Sequence, residues 1–125
     1  MKKLSVLVIL CLSMNAYSQK LIQWIGGHPG QETKWECPAN WDNNKLPDEL
    51  SDVMISNQSS HGNFYPIVNS IVKINSLQLL DKTYLNIGPK AVIHIMNTKE
   101  YGFLNLGSIN RMTGIYFDEV KVAQK

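Results

Sequence analysis

The sequence has little cysteine, little charge and no long apolar run. Its 125 residues include two cysteines, 18% charged residues and a formal net charge of +2. So small an excess of positive charge, without a cluster of Lys and Arg, gives no indication of nucleic-acid binding. The hydrophobic content of 44% is enough for a core and excludes wholesale disorder. At this length we expect one domain.

The longest apolar stretch is too short to cross a membrane. Leu4–Leu12 has about half the roughly 20 residues that a membrane-spanning helix needs. It follows two lysines and precedes the small residues around Ala16–Ser18, as in a secretory signal peptide. We therefore predict that residues 1–18 are a signal peptide cleaved before Gln19. The protein is then secreted or periplasmic, and its mature chain does not span a membrane.

Cleavage changes the charge and the thiol count. Removing two of the twelve basic residues leaves ten against ten acidic ones, so the mature chain is neutral. Neutrality removes long-range steering toward charged partners and favours self-association or short-range packing. Cys11 is also removed, which leaves Cys37 alone and excludes a disulfide within the mature chain. We expect Cys37 to be a buried small hydrophobe, with an intermolecular disulfide as the alternative.

Helical periodicity is missing, and a strand pattern takes its place. Apolar residues do not recur at helical spacing over ten or more residues. Instead, aliphatic residues two apart, which share one face of a strand, recur in the second half of the chain. These pairs are Val72-x-Ile74, Leu77-x-Leu79, Leu85-x-Ile87, Ile93-x-Ile95 and Leu104-x-Leu106, with Val53-x-Ile55 as an earlier example. Turn formers separate them, so we predict an all-β fold with short connections.

Two architectures fit this spacing. In an antiparallel β-sandwich successive strands form hairpins. In a solenoid each strand stacks on its equivalent in the next turn of the chain. The step of eight residues between Leu77, Leu85 and Ile93 is compatible with both. A short solenoid would also have open ends, which soluble proteins cap or charge.

The irregular first half contains a series of short, tryptophan-rich sequence motifs in a fixed order. They are Trp24-x-Gly26, Trp35, Asn40-Trp41, Leu46-Pro47, Asp52-Val53-Met54-Ile55 and Tyr65-Pro66-Ile67. This set resembles the opening segment of the β-solenoid modules in large secreted, adhesin-like surface proteins of gliding and gut Gram-negative bacteria. The match covers about residues 22–95.

The resemblance implies a short right-handed parallel β-helix with an irregular Trp-rich N-terminal cap. We expect residues 19–66 to form the capping segment and residues 67–125 the β-solenoid strands, in one domain. Proteins of this kind usually end in a sorting tail, which residues 120–125 do not resemble. Periplasmic location or simple secretion is therefore expected rather than anchoring at the cell surface.

Four aromatic residues are candidates for ligand binding. Trp35, Tyr65, Tyr84 and Tyr101 would form a platform for a sugar ring if their faces were exposed. The competing interpretation is that the tryptophans belong to the core.

We predict no catalytic residue, metal or cofactor. The histidines are His28, His61 and His94, 33 residues apart and without partners at metal-ligand spacing. The acids between Asp42 and Asp52 lack the spacing of a calcium loop and fit a turn equally well. Beyond Tyr65 no two acids share a strand face, which paired-carboxylate catalysis requires.

These observations predict an exported, non-enzymatic structural or adhesion-type module at the cell envelope or outside the cell. It would act through exposed sheet faces and stack ends, where a partner strand can add. Its partner would be a second copy or a cell-surface molecule. The alternatives are a carbohydrate-binding module that uses exposed aromatic residues and a remnant of a larger surface adhesin.

Overall fold

The chain is built from short strands. The computed structural model describes residues 20–57, 63–99 and 101–118, so the predicted signal peptide, residues 1–18, lies outside the described residues. The strands are β1 (Lys20–Gln23), β2 (Ser51–Ile55), β3 (Ile67–Val68), β4 (Ile71–Ile74), β5 (Ser76–Leu79), β6 (Tyr84–Ile87), β7 (Val92–Ile95), β8 (Phe103–Asn105), β9 (Ser108–Ile109) and β10 (Ile115–Phe117). The 3₁₀ turns described over their full length are Pro38–Asn40 and Met112–Gly114. The predicted all-β class is confirmed.

The strands form three parallel sheets. The first sheet has the order β1-β2-β5-β8, the second β3-β6-β9 and the third β4-β7-β10. From β2 onward the chain visits the three sheets in turn, so each strand pairs with the strand three positions later. The antiparallel β-sandwich is therefore wrong, because its hairpins would pair successive strands in opposite directions. The eight-residue step between β5, β6 and β7 moves the chain to the next sheet.

The alternation of side chains along the strands creates the core. Within β7, Ile93 and Ile95 are buried while Val92 and His94 are only partly so. Register then aligns inward positions across a sheet, as Val53 with Leu77 in the first sheet. The buried members of all three sheets and the three tryptophans form one hydrophobic cluster. Because every sheet contributes to this cluster, the sheets enclose a shared core. Cys37 is buried and free, as expected of a small hydrophobe.

One predicted strand pair is wrong. Leu104 and Leu106 were expected to point inward, but they are 42% and 56% exposed. In the first sheet Phe103 pairs with the buried Leu77, so Phe103 takes the inward position and Leu104 faces out. Leu106 lies beyond the end of β8.

The first sheet extends across the boundary expected at residue 66. β1 and β2 belong to the segment 19–66, and β2 lies in the sheet between β1 and β5. The chain between β1 and β2, residues 24–50, contains all three tryptophans and no strand longer than an isolated bridge.

Candidate functional site

The last strand of each sheet has a neighbour on one side only. We call the outer sides of β8, β9 and β10 the C-terminal edge; no described strand pairs with it. The three strands have the sequences Phe-Leu-Asn, Ser-Ile and Ile-Tyr-Phe, without charge or proline. Natural proteins usually protect such an edge with Lys, Pro or a covering segment, because its unpaired N–H and C=O groups bind further strands. Its chemistry therefore suits strand addition.

Inward positions at this edge are incompletely covered by the described chain. Phe117 pairs with the fully buried Ile95 in the third sheet, yet 48% of Phe117 is exposed. Its ring lies 5.7 Å from that of Phe103 at an interplanar angle of 70°. Phe103 and Ile109 are partly buried against the core. The end of the core thus offers aromatic surface to a partner.

The nearest described charges do not protect this edge. Arg111 precedes β10, but its Nη2 donates hydrogen bonds to the carbonyl oxygens of Gly88 and Ala91, at 2.7 and 2.6 Å. Its guanidinium is thereby tied to the connection between β6 and β7. Asp118 follows β10, and its N–H continues the ladder to Ile95 O at 3.0 Å.

The opposite ends of the sheets are covered by the tryptophan-rich segment. We call the outer sides of β1, β3 and β4 the N-terminal edge. At the end of β1, the Trp24 position forms an isolated antiparallel bridge with Trp41. Beside it, Gln23 N–H donates to Asp42 Oδ1 and Asp42 N–H donates to Gln23 O. The outer side of β1 is thus paired at its C-terminal end.

The same segment also covers the second sheet and the beginning of the third. Ile67 of β3 donates its N–H to Thr33 O at 2.7 Å and accepts from Trp35 N–H at 3.2 Å. Just before β4, Glu36 Oε2 accepts hydrogen bonds from Asn69 N–H at 3.0 Å and Ser70 Oγ at 2.6 Å.

Three packed indole rings form the centre of this cover. Trp24, Trp35 and Trp41 are at most 1% exposed. Trp41 packs edge-to-face with Trp24 at 5.1 Å and with Trp35 at 4.7 Å between ring centroids. Two of the indole N–H groups donate to carbonyl oxygens, that of Trp24 to Phe64 O at 2.7 Å and that of Trp41 to Trp35 O at 2.9 Å. A buried indole needs such a partner for its N–H.

Asn40 holds the cover together, and sequence reasoning missed its role. Its side chain is fully buried and donates to Gln31 O at 2.7 Å and Lys34 O at 2.9 Å, while its Oδ1 accepts from His28 N–H at 3.0 Å. A carboxamide can satisfy two carbonyls and an N–H at once, which explains this residue type. The only signal in the sequence was its place beside Trp41.

The structure does not bring the four candidate ligand residues together. Trp35 is 1% exposed and belongs to the core, so it presents no face to a sugar. Tyr65 and Tyr84 are neighbours, with ring centroids 5.4 Å apart at 66°, and Tyr84 is 57% exposed. Tyr101 is 77% exposed, and no aromatic contact joins it to the other three within the described residues.

The Tyr65–Tyr84 pair has its own electrostatics. Desolvation by burial, followed by the coulombic effect of Tyr84, raises the pKa of the Tyr65 phenol. Both causes disfavour the phenolate. The neutral hydroxyl donates a hydrogen bond to Lys82 O at 3.2 Å.

Two acids of the turn make hydrogen bonds within the fold, and His94 packs on a neighbouring ring. Among the described residues no three His, Cys, Asp or Glu side chains lie together as metal ligands would. In the acid-rich turn, Asp48 Oδ1 accepts from Leu50 N–H at 2.9 Å, and Asp52 Oδ1 accepts from Asn75 Nδ2 and Ser76 Oγ in the next strand of the first sheet. His94 stacks on Tyr116 on the outer face of the third sheet, at 5.8 Å and 20°. His61 lies outside the described residues.

A small cavity of about 150 Å³ lies beside the beginnings of β1 and β2. Its lining residues are Lys20, Ile22, Asn43, Lys45, Leu46, Asp48, Leu50 and Ser51. Asp48 is the one acid among these lining residues, and its Oδ1 accepts a hydrogen bond within the turn, as described above.

The described helical segments are too short to cross a membrane. A comparison with protein-family models gives no match for this chain, and comparisons with curated proteins and with solved structures give none either.

Proposed function

We propose that this chain is an exported, non-enzymatic structural module of adhesion type, built as a short right-handed parallel β-helix with the Trp-rich segment as its cap. The repeated visit of the chain to three parallel sheets supports this architecture. Right-handed connection is by far the commonest hand between parallel strands of one sheet. The resemblance of the tryptophan-rich motifs to the opening segments of secreted β-solenoid modules supports the same conclusion.

The observation that carries the functional proposal is the difference between the two edges. The N-terminal edge is covered by hydrogen-bonded chain, whereas the C-terminal edge is uncharged and unpaired within the described residues. The module therefore binds its partner by strand addition at β8, β9 and β10, where main-chain hydrogen bonds provide affinity and exposed aromatic side chains provide selectivity.

The experiment uses a synthetic peptide as the added strand. A labelled peptide with the sequence Ser76–Leu79, the strand that pairs with β8 in the fold, is titrated with the mature full chain in fluorescence anisotropy. Leu106 N–H donates to Leu79 O in β5, so by alternation the N–H of Asn105 points to the free side of β8. Asn105→Pro removes that donor, and Asn105→Ala keeps it.

We expect the Asn105→Ala protein to bind the peptide as the parent does and Asn105→Pro to lose at least tenfold in affinity. Circular dichroism must show both variants folded, as edge strands tolerate Pro at positions whose N–H faces solvent. Equal binding by the two variants, or no binding by the parent at concentrations where it is monomeric, would contradict the proposal.

Export is tested separately. When the whole sequence is expressed in a Gram-negative host, the protein recovered from the periplasm or the medium should begin at Gln19, as N-terminal sequencing would show. Recovery of uncleaved protein in the cytoplasm would contradict secreted or periplasmic localisation.

A second candidate function, glycan binding, is favoured by one observation only. The ring of Tyr84 is 57% exposed and is held by edge-to-face packing against Tyr65. Fixed aromatic faces of this kind suit a sugar ring. Glycan-array binding that is lost in Tyr84→Ala but retained in Tyr101→Ala would support this function, and a blank array for the parent would exclude it.

A further inference from the structure

We propose that the partner at the C-terminal edge is a second copy of this chain, joined edge to edge about a two-fold axis to form a closed dimer. The inference rests on the proposed function, because it names the molecule that adds strands to β8, β9 and β10.

The uncharged character of the edge favours a contact with itself. In a two-fold interface only the groups near the axis meet their own counterparts; with the axis at β8, a charge on that strand would meet like charge. Like charges directly opposite each other across paired strands are destabilising. β8, β9 and β10 contain no charge, and the nearest described cation, Arg111, is bonded to Gly88 and Ala91. The three strands therefore bring no charge of their own to the contact; the described charge that follows them, Asp118, lies at the end of the β10 ladder.

The N-terminal edge cannot serve as the other half of the contact. Ile67 of β3 donates to Thr33 O and accepts from Trp35 N–H, and Asp42 N–H donates to Gln23 O at the end of β1, so the outer sides of these strands are occupied there. The remaining strand, β4, has the exposed Lys73 on its outer face, a typical edge protection. The occupied positions on β1 and β3 and the lysine on β4 disfavour head-to-tail stacking, which would propagate into a filament, so we expect assembly through the C-terminal edge to stop at two copies.

Geometry sets the direction of pairing. Strands of one sheet stack along the axis of the β-helix, and the chain winds around that axis. A two-fold axis perpendicular to it reverses the sense of winding as seen from one end. Edge strands of the two copies therefore meet antiparallel. Antiparallel ladders satisfy both the N–H and the C=O groups of an edge. The exposed apolar residues in or beside these strands would be partly buried on contact; they are Tyr101, Leu104, Leu106, Met112, Tyr116 and Phe117. Together with the main chain of the three strands, these side chains form the apolar surface that the dimer would bury, against the roughly 800 Å² that each partner buries in a standard interface.

The test exploits a matched pair of leucines on the first sheet. Leu104 on β8 and Leu21 on β1 both face solvent, at 42% and 57% exposure, but at opposite edges. The mature full chain and its Leu104→Lys and Leu21→Lys variants are compared by sedimentation velocity over a wide range of concentration. We expect the parent to reach a dimer and no larger species, Leu104→Lys to weaken dimerisation at least tenfold, and Leu21→Lys to leave it unchanged.

A charge-swap experiment identifies the partner as a second copy. Leu104→Glu alone should also be monomeric, whereas an equimolar mixture of Leu104→Lys and Leu104→Glu should restore the dimer. Melting temperatures close to the parent's must show that each variant is folded. Failure of the mixture to dimerise would overturn the proposal even if the parent is dimeric.

The remaining outcomes separate this inference from the function on which it rests. A parent that is monomeric at every concentration but binds the strand peptide overturns the dimer and leaves strand addition standing. A monomeric parent that also ignores the peptide overturns both, and slow hydrogen exchange of the β8–β10 amides would then show that another part of the chain already covers this edge. Species larger than a dimer would overturn the two-fold closure.

Discussion

The N-terminal and C-terminal edges of the three sheets differ in how the described chain covers them. At the N-terminal edge, Trp41 is fully buried between two further indole rings. At the C-terminal edge, Phe117 aligns with a buried core position, yet it is half exposed. At the first edge, hydrogen bonds from the tryptophan-rich segment reach β1, β3 and the residues just before β4, although Glu36 Oε1 is buried without a partner. The strands of the second edge are uncharged, and the described chain does not pair with them. One end is therefore built for stability, and the other keeps the chemistry of an interface.

The largest effect is expected from removing an aromatic ring at each edge. Trp41→Ala removes the centre of the indole cluster and should lower the free energy of unfolding by about 3–5 kcal/mol, the usual range for a large core aromatic. For a chain without a disulfide, whose total stability is on the order of 5–15 kcal/mol, this leaves a protein that is unfolded or aggregating. Thermal and urea denaturation followed by circular dichroism would measure it.

Phe117→Ala is the matched control for that prediction. Because half of the Phe117 ring is already in solvent, its removal should cost only about 1 kcal/mol, measured at low protein concentration. A normal melting transition for Trp41→Ala, or equal losses for the two variants, would contradict the distinction between a stabilising edge and a binding edge.

An intermediate effect is expected from changing an amide to a carboxylate at each edge. Asn40→Asp places carboxylate oxygens where the buried side chain now donates to Gln31 O and Lys34 O. Leaving those carbonyls unpaired against a buried charge should cost about 2–4 kcal/mol. Asn110 is exposed; its Oδ1 accepts from Ile87 N–H at 2.7 Å, which an aspartate can still do.

Asn110→Asp loses the long hydrogen bond of 3.3 Å that Asn110 Nδ2 donates to Ile87 O, but it keeps the shorter acceptor bond. Because solvent screens the new charge, the substitution should cost only about 1 kcal/mol, less than Asn40→Asp. The comparison is made by urea denaturation at neutral pH. Equal destabilisation by the two variants would show that Asn40 does not organise the cover.

The smallest effect concerns pH. Because the pKa of the Tyr65 phenol is raised in the folded protein, chiefly by burial and then by Tyr84, the folded state retains this proton more tightly than the unfolded state. The corresponding stability is fully present below the ordinary tyrosine pKa of about 10 and is lost as pH rises through the higher folded value. Tyr65→Phe should flatten the fall in melting temperature between neutral and alkaline pH, relative to the parent. An unchanged slope would contradict the assignment.

The sequence predicted the inward pairs well where the chain was regular. Leu77-x-Leu79, Leu85-x-Ile87 and Ile93-x-Ile95 are all buried in their strands, because a period of two fixes which side chains share a face. The same reasoning was wrong for Leu104-x-Leu106. It considered aliphatic pairs only, and the register with β5 selected Phe103 instead. Ile115-x-Phe117 was overlooked for the same reason.

The candidate site could be predicted only in part. Any short stack of parallel strands has an unpaired edge strand at each end. The sequence did not indicate which of the two ends would be covered by other chain. Trp35 was a plausible ligand residue as long as its neighbours were unknown, and its burial follows from contacts with Trp41 and the pairing at Ile67. Such contacts join segments far apart in sequence, which local periodicity does not report.

By itself, the sequence determined the all-β class and the inward-facing residues of the central strands, since each depends on residue type and spacing along the chain. Tertiary structure alone decided that the strands pair in parallel, that Asn40 is bonded to three backbone groups and that β8, β9 and β10 have one neighbour each. Pairing and coverage depend on which distant segments meet. That choice is made by the packing of the whole core, in which the three tryptophans of one segment and the buried residues of all three sheets form one cluster.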